Sequence, residues 1–536
     1  MEKKTLLAMG LILIVFFLSN EYIWKVKQQN STGIDSLNSV KNEMPLDNKI
    51  SEKVSADNKI SDSNVREDDN ILLENDVLQL VLSNKGGNLK KIILKEFFLS
   101  DKTTEINLIP ENKELASIYL MSDDGKENLD NVIFKHDFNS DENSITFYVE
   151  NSEKEILLSK KYTLGSDYAV DFNFINNGYA VVNNYKIGFN GGISDTEEYL
   201  IKKPKLKQRD YKIIYEKENS VDFFRLQKLK EMQSVNGMID WVAIRSKYFT
   251  AVFLSSKETD TYKMSAFRIN NSPAFSVSVK PTSNRTHFND SFKMYFGPVI
   301  DSQLKQVDPG LESIVERGKW LGGISKLFLS YVNILHKFIP NWGVCLIIFA
   351  LTLKIILYPL THKSFEAAQK MQKIQPQLKE LQKKHKGDPK QLQIESQKLY
   401  KEHGVNPLGG CLPMLLQMPV FFALYPVLRF SIDLRQAGFM LWIKDLSEPD
   451  PYLVLPILMG VFMFIQQQLM SKTQQETADM DDTQLAQIKS QKMMGYIMPV
   501  MMFFIFKSFP SGLVLYWTVF NVFSIIQQYY VQKKLS

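Results

Sequence analysis

Five apolar blocks crowd the last third of this chain, at residues 342–360, 412–428, 452–469, 493–509 and 511–531. A hydrocarbon core of about 30 Å asks for about 20 apolar residues from each helix that crosses it, and only helices or closed barrels satisfy their own backbone there. The blocks therefore predict a multi-span α-helical membrane protein with a five-helix core. Average composition hides this, because 44% hydrophobic and 23% charged residues over 536 positions would suit an ordinary soluble protein. A sixth stretch, 6–18, is unbroken apolar sequence after Lys3 and Lys4. It could be a cleaved signal peptide or a retained anchor. With no small-residue cleavage site behind it, a signal-anchor span over 1–24 with a cytoplasmic N-terminus is expected.

Residues 25–70 are rich in Lys, Asn, Ser and Asp, and repeat Asp-Asn-Lys-Ile-Ser at Asp47 and Asp57. They read as a flexible polar linker. From 71 to 300 the pattern alternates apolar and polar positions between turn signals such as Asn84-Lys85-Gly86-Gly87-Asn88 and Asn176-Asn177-Gly178, with Asn270, Asn271, Ser272 and Pro273 separating two further runs. Many short strands predict a large all-β sandwich, extracytoplasmic because it follows an N-in span. Residues 301–340 connect it to the core. Within them Ile324, Leu327, Phe328, Tyr331, Ile334, Leu335 and Phe338 make one apolar helical face, expected to lie in the membrane interface.

The segment 361–410 is a basic helical hairpin with ten lysines, turning at His385-Lys386-Gly387-Asp388-Pro389. Between two spans it reads as a cytoplasmic loop under the positive-inside rule, not as a sequence-specific nucleic-acid surface. Cys345 and Cys411 suggest neither a disulfide framework nor a metal site. No nucleotide-binding or nucleophile motif occurs, so no cofactor and no catalytic residue is expected.

Lys354 is the only charge in 342–360. A charge at that depth costs several kcal/mol and is a functional candidate by default, although its stem could also snorkel to the cytoplasmic end. Gln417, Gln466, Gln467, Gln468, Thr518, Asn521, Ser524, Gln527 and Gln528 add polar groups to the spans, with no acid among them to pair with Lys354. An unpaired cation among amides and hydroxyls fits a wet cavity; lone glutamines equally fit interhelical hydrogen bonds.

Asn406-Pro407-Leu408-Gly409-Gly410-Cys411, Gln417-Met418-Pro419, Leu434-Arg435-Gln436-Ala437, Leu441-Trp442-Ile443, Asp445-Leu446-Ser447 and Phe509-Pro510-Ser511-Gly512-Leu513-Val514-Leu515-Tyr516 occur in that order. In these motifs the chain resembles the YidC family of membrane protein insertases, in the Gram-negative form with a periplasmic sandwich of sugar-binding-like fold. The resemblance implies a groove in an inner-membrane bundle that passes nascent membrane proteins into lipid, alone or with the Sec translocon and ribosome. It implies a client-binding set of Lys354, Gln417, Met418, Phe421, Ile505, Tyr516 and Trp517. Lys354 stands where the family usually has arginine, which keeps the charge and loses the bidentate fork.

Two other classes compete. A solute transporter predicts an internal repeat with broken helices in both halves, and none is seen. A carbohydrate-active enzyme on the β-domain would need paired carboxylates in one cleft.

Overall fold

A computed structural model describes residues 70–535 except 124, 257–258, 270, 319–320, 386, 406–411 and 472–481. The expected anchor, most of the polar linker, and the motif from Asn406 to Cys411 lie outside the described residues. Two compact units result, one of residues 70–342 with 421–448 and one of 343–420 with 449–535.

The first unit is built on antiparallel strands. A nine-stranded sheet contains Ala169–Asn177 beside its central strand His287–Pro298, with Ile156–Leu164 on the other side; a six-stranded sheet contains Asn184–Phe189 between Ser117–Ser122 and Ser272–Lys280. Period-two alternation explains the pairing: Val170, Phe172 and Phe174 point inward from one strand, Tyr185, Ile187 and Phe189 from the other, and all are buried. Rings meet between the sheets, with Tyr185 stacked on Phe288 at 5.6 Å and Phe189 edge-on to Phe253 at 6.1 Å. This is the expected sandwich. One turn is shorter than the sequence suggests, because Ser272 and Pro273 belong to the strand and Asn271 alone, at φ +63°, carries the reversal on the described side.

A third, four-stranded sheet runs from Asn70 to Asn107. Its Gly86-Gly87 turn has φ values of +76° and +59°, which glycine adopts without a Cβ penalty. The turn is held by the fully buried Lys160, whose Nζ donates to Gly86 O at 2.6 Å and Asn88 Oδ1 at 3.0 Å. Burial pushes the ammonium down to about 7, against the pull of Asp130 and Glu114. An unfolded lysine titrates near 10.5, so the unfolded chain binds more protons between those values and stability rises with pH across the window. Replacement by Met (Lys160→Met) should abolish that rise, on the order of a few kcal/mol between pH 7 and 10, as read from denaturation midpoints of both proteins across the range. Parallel pH profiles would refute the assignment.

Helix α1, Gly322–Phe338, leaves Ile324, Leu327, Ile334 and Phe338 exposed while burying Phe328 and Val332. It is the amphipathic helix read from the sequence. Ser325 Oγ on its buried side reaches the Ala423 carbonyl at 2.8 Å. Residues 421–448 pack with the β-domain through buried ion pairs, Arg429 Nη2 to Asp210 Oδ2 at 2.7 Å and Arg435 Nε to Glu197 Oε1 at 2.7 Å. Gln436 Nε2 donates to the Phe98 and Leu99 carbonyls, and Lys247 Nζ to that of Ser447.

The second unit is helical. Helix α2 is Trp342–Lys384 and α3 is Pro389–Glu402. Helix α4, Leu412–Phe430, crosses from this unit into the first, followed by α5 (Val454–Ser471), α6 (Asp482–Phe506) and α7 (Ser511–Leu535). Helix α5 packs against both α6 and α7. The expected end of the first span at 360 is not a break: α2 continues through Pro359 and Pro376 into the hairpin arm. The turn at the hairpin closes as read, with Asp388 Oδ1 accepting from Lys390 N and Gln391 N ahead of Pro389. His403 Nε2 and Gln377 Oε1, 2.8 Å apart, join the two arms.

Among the described residues one helix, α2, is long and apolar enough by itself to cross a membrane; Val454–Leu469 and Gly495–Phe506 are shorter apolar runs. Their outer surfaces are nevertheless apolar. Ile355, Ile356, Ile457, Val461, Ile497, Val500 and Phe504 are all exposed.

Candidate functional site

Helix α7 supplies one wall of the site. Tyr516, Phe520 and Ser524 recur every four residues, so they stack on one face, and Gln527 and Gln528 continue it a turn later. Thr518, Asn521, Ser524, Gln527 and Gln528 are all buried. A buried helical face this polar needs partners on a facing helix.

Lys354 of α2 meets that face. It is 6% exposed. Its Nζ donates to Ser524 Oγ at 2.7 Å and stands over the Phe520 ring at 4.6 Å and the Phe365 ring at 5.8 Å. No carboxylate among the described residues acts on it. The stem therefore crosses to α7 instead of snorkelling along α2.

Two further bridges flank the lysine. Toward one end, Gln417 Nε2 of α4 donates to Tyr516 Oη at 2.9 Å, and Tyr516 packs on Phe349 of α2 and on Phe520. Toward the other, Gln527 Nε2 donates to the Tyr358 carbonyl at 3.3 Å, and Gln527 Oε1 lies 3.1 Å from Thr361 Oγ1. These contacts tie α7 to α2 on both sides of Pro359, where the proline removes the backbone donor to the carbonyl four residues earlier.

Of the residues expected from sequence, Lys354, Gln417 and Tyr516 thus join one connected network. Met418 is half-buried beside Gln417. Trp517 turns to the next face of α7 and packs on Phe506 of α6 at 5.2 Å, with Ile505 half-buried beside it. Phe421 falls in the other unit, where it stacks on Tyr425 at 6.0 Å. Ser524, Phe520, Thr361 and Gln527 join the network although the expected client-binding set omitted them. The four-residue spacing from Tyr516 to Ser524 was the available signal. Asn521 Nδ2 and Gln528 Oε1 are buried on either side of Ser524 and find no hydrogen-bond partner among the described residues.

The chemistry on offer is attraction and hydrogen bonding. The site presents a cation, a phenol, hydroxyls and amides. Among the described residues no three His, Cys, Asp or Glu side chains are grouped to hold a metal.

Known families match both parts of the chain. The family described as 60Kd inner membrane protein matches residues 334–536, and the YidC periplasmic domain matches 70–331. A membrane protein insertase YidC of Prosthecochloris aestuarii is 34% identical over 515 residues, covering 87% of this chain and 83% of the relative. That of Geobacter metallireducens is 31% identical over 562 residues, covering 100% and 99%. A crystal structure of an active YidC insertase with its first transmembrane domain resolved aligns at TM-score 0.36 and 18% identity, covering 87% of this chain and 93% of that one. With relatives this similar over nearly its whole length, the chain belongs to the YidC family of membrane protein insertases.

Proposed function

We propose that this chain inserts nascent membrane proteins into a bacterial inner membrane, using the α2–α7 network as the polar path. Five helices, the first part of α2 with α4, α5, α6 and α7, form the membrane core, and the β-domain stands on the periplasmic side. The exposed apolar surfaces of α2, α5 and α6 support a lipid setting. A client's polar flank cannot cross about 30 Å of hydrocarbon cheaply, because each unsatisfied backbone group costs several kcal/mol. Lys354, Ser524, Asn521 and Gln528 shorten the dry part of that route by offering donors and acceptors inside it. Burial of the client's apolar span in lipid then supplies the driving force. Nascent chains on the ribosome, alone or passed on by the Sec translocon, are the partners this role needs.

One observation carries the reading: a buried lysine that meets no carboxylate among the described residues, beside buried amide atoms that find no hydrogen-bond partner among them. Photocrosslinking from positions 418 and 521 to a ribosome-stalled client tests it. Crosslinks are expected at both positions while the client span is emerging and are lost after its release into lipid. Folded, membrane-embedded protein that gives no crosslink at either position would remove the path.

A further inference from the structure

The link from α4 to α5 forms one side of an open cleft of about 590 Å³ against the β-domain. Charges of both signs line it: Glu197, Glu198, Asp445 and Glu448, with Lys102 and Lys444; Glu198 is paired with Lys202. Arg435 already neutralises Glu197. Glu448 makes no ion pair among the described residues, and burial with the neighbouring Asp445 pushes its carboxyl up to about 7, against the opposing pull of the more distant Lys247 ammonium. Behind Glu197, Arg435 Nη2 is buried and unbonded. An acid kept desolvated beside a second acid is poised for a cation.

Part of the lining is apolar and faces outward. Met440 is 54% and Leu441 76% exposed. Leu441 holds φ +54°, a conformation bulky residues rarely adopt and one that concentrates at functional positions. Asn341 Nδ2, just past the end of α1, donates to the Phe439 carbonyl in the cleft wall at 3.0 Å. The cleft is therefore tethered to the helix whose exposed face is Ile324, Leu327, Ile334 and Phe338. A helix of that pattern lies at the boundary of headgroups and acyl chains.

We propose that this cleft binds the headgroup of an aminophospholipid, its primary ammonium on Glu448, its phosphate at Lys444 and Lys102, and its acyl chains leaving past Met440 and Leu441. An ammonium offers three N–H donors to the unpaired carboxylate, whereas a quaternary choline offers none and an uncharged glycerol headgroup brings no cation. This site is independent of the insertion path, and its failure would leave that reading untouched.

The test is native mass spectrometry of the full-length protein in detergent, titrated with phosphatidylethanolamine or phosphatidylcholine of identical chains. About tenfold tighter retention of the ethanolamine lipid is expected, the size of one charge-assisted hydrogen bond. Glu448→Gln should erase that preference without lowering the melting temperature, since it removes an unpaired charge. Lys444→Gln should weaken both lipids alike. Equal retention by the parent protein, a preference that survives Glu448→Gln, or stoichiometric displacement of the lipid by trilysine peptide would each overturn the proposal.

Discussion

Replacing Lys354 with Ala should slow insertion of clients with acidic translocated tails by about tenfold, the loss expected when one charge-assisted contact disappears. Clients whose tails carry no charge should lose much less, because Ser524, Asn521 and Gln528 remain to serve their backbone. Lys354→Arg should restore most of the rate, since the guanidinium keeps the charge and adds a planar fork. The readout is protease protection of translocated tails in proteoliposomes, compared across the three proteins. Parental rates for acidic tails in Lys354→Ala would reduce the lysine to a packing element between α2 and α7.

The largest stability effect belongs to the pair of Arg429 and Asp210. Their side chains are 4% and 1% exposed and meet at 2.7 Å. Two charges taken so far out of water support one another; without Arg429, the buried Asp210 keeps only the partly exposed Arg209, whose Nε lies 3.4 Å from Oδ1, so the loss falls at the lower end of the usual cost, about 3 kcal/mol. Arg429→Met should therefore lower the melting temperature of the detergent-solubilised full-length protein by about 10 °C, given the usual slope for a unit of this size. Combining it with Asp210→Leu should recover most of the loss, because a buried pair replaced as a whole is often neutral. A single variant that melts with the parent protein would mean that water reaches the pair.

Local pattern carried much of this structure. Alternation from Tyr168 to Ile175 marked a strand, which runs on through Asn176 and Asn177 where the sequence suggests a turn; the spacing from Ile324 to Phe338 marked α1, and Gly86-Gly87 marked a turn that demands positive φ. The lone charge at Lys354 marked the polar network. What stayed hidden depends on partners distant in sequence. Nothing near Pro359 says that Gln527, 169 positions away, will bond the Tyr358 carbonyl. Asp210 and Arg429 lie 219 positions apart, and each alone looks like a surface charge. The family resemblance put Phe421 with Met418 in one client-binding set. No local signal shows that the boundary between the two compact units passes between them.

The unbroken course of α2 has a mechanical consequence. At 1.5 Å per residue its 43 residues extend about 65 Å, twice the hydrocarbon thickness. The arm from Pro359 to Lys384 is then a stiff lever of roughly 37 Å, with its fulcrum at the proline where Gln527 grips the chain. Bending of about 10° there would sweep the far tip by about 6 Å, while Lys354, little more than a turn beyond the fulcrum, would move by about 1 Å. A load caught by the hairpin would thus reach the lysine geared down about fivefold in distance and, in a stiff beam, multiplied in force.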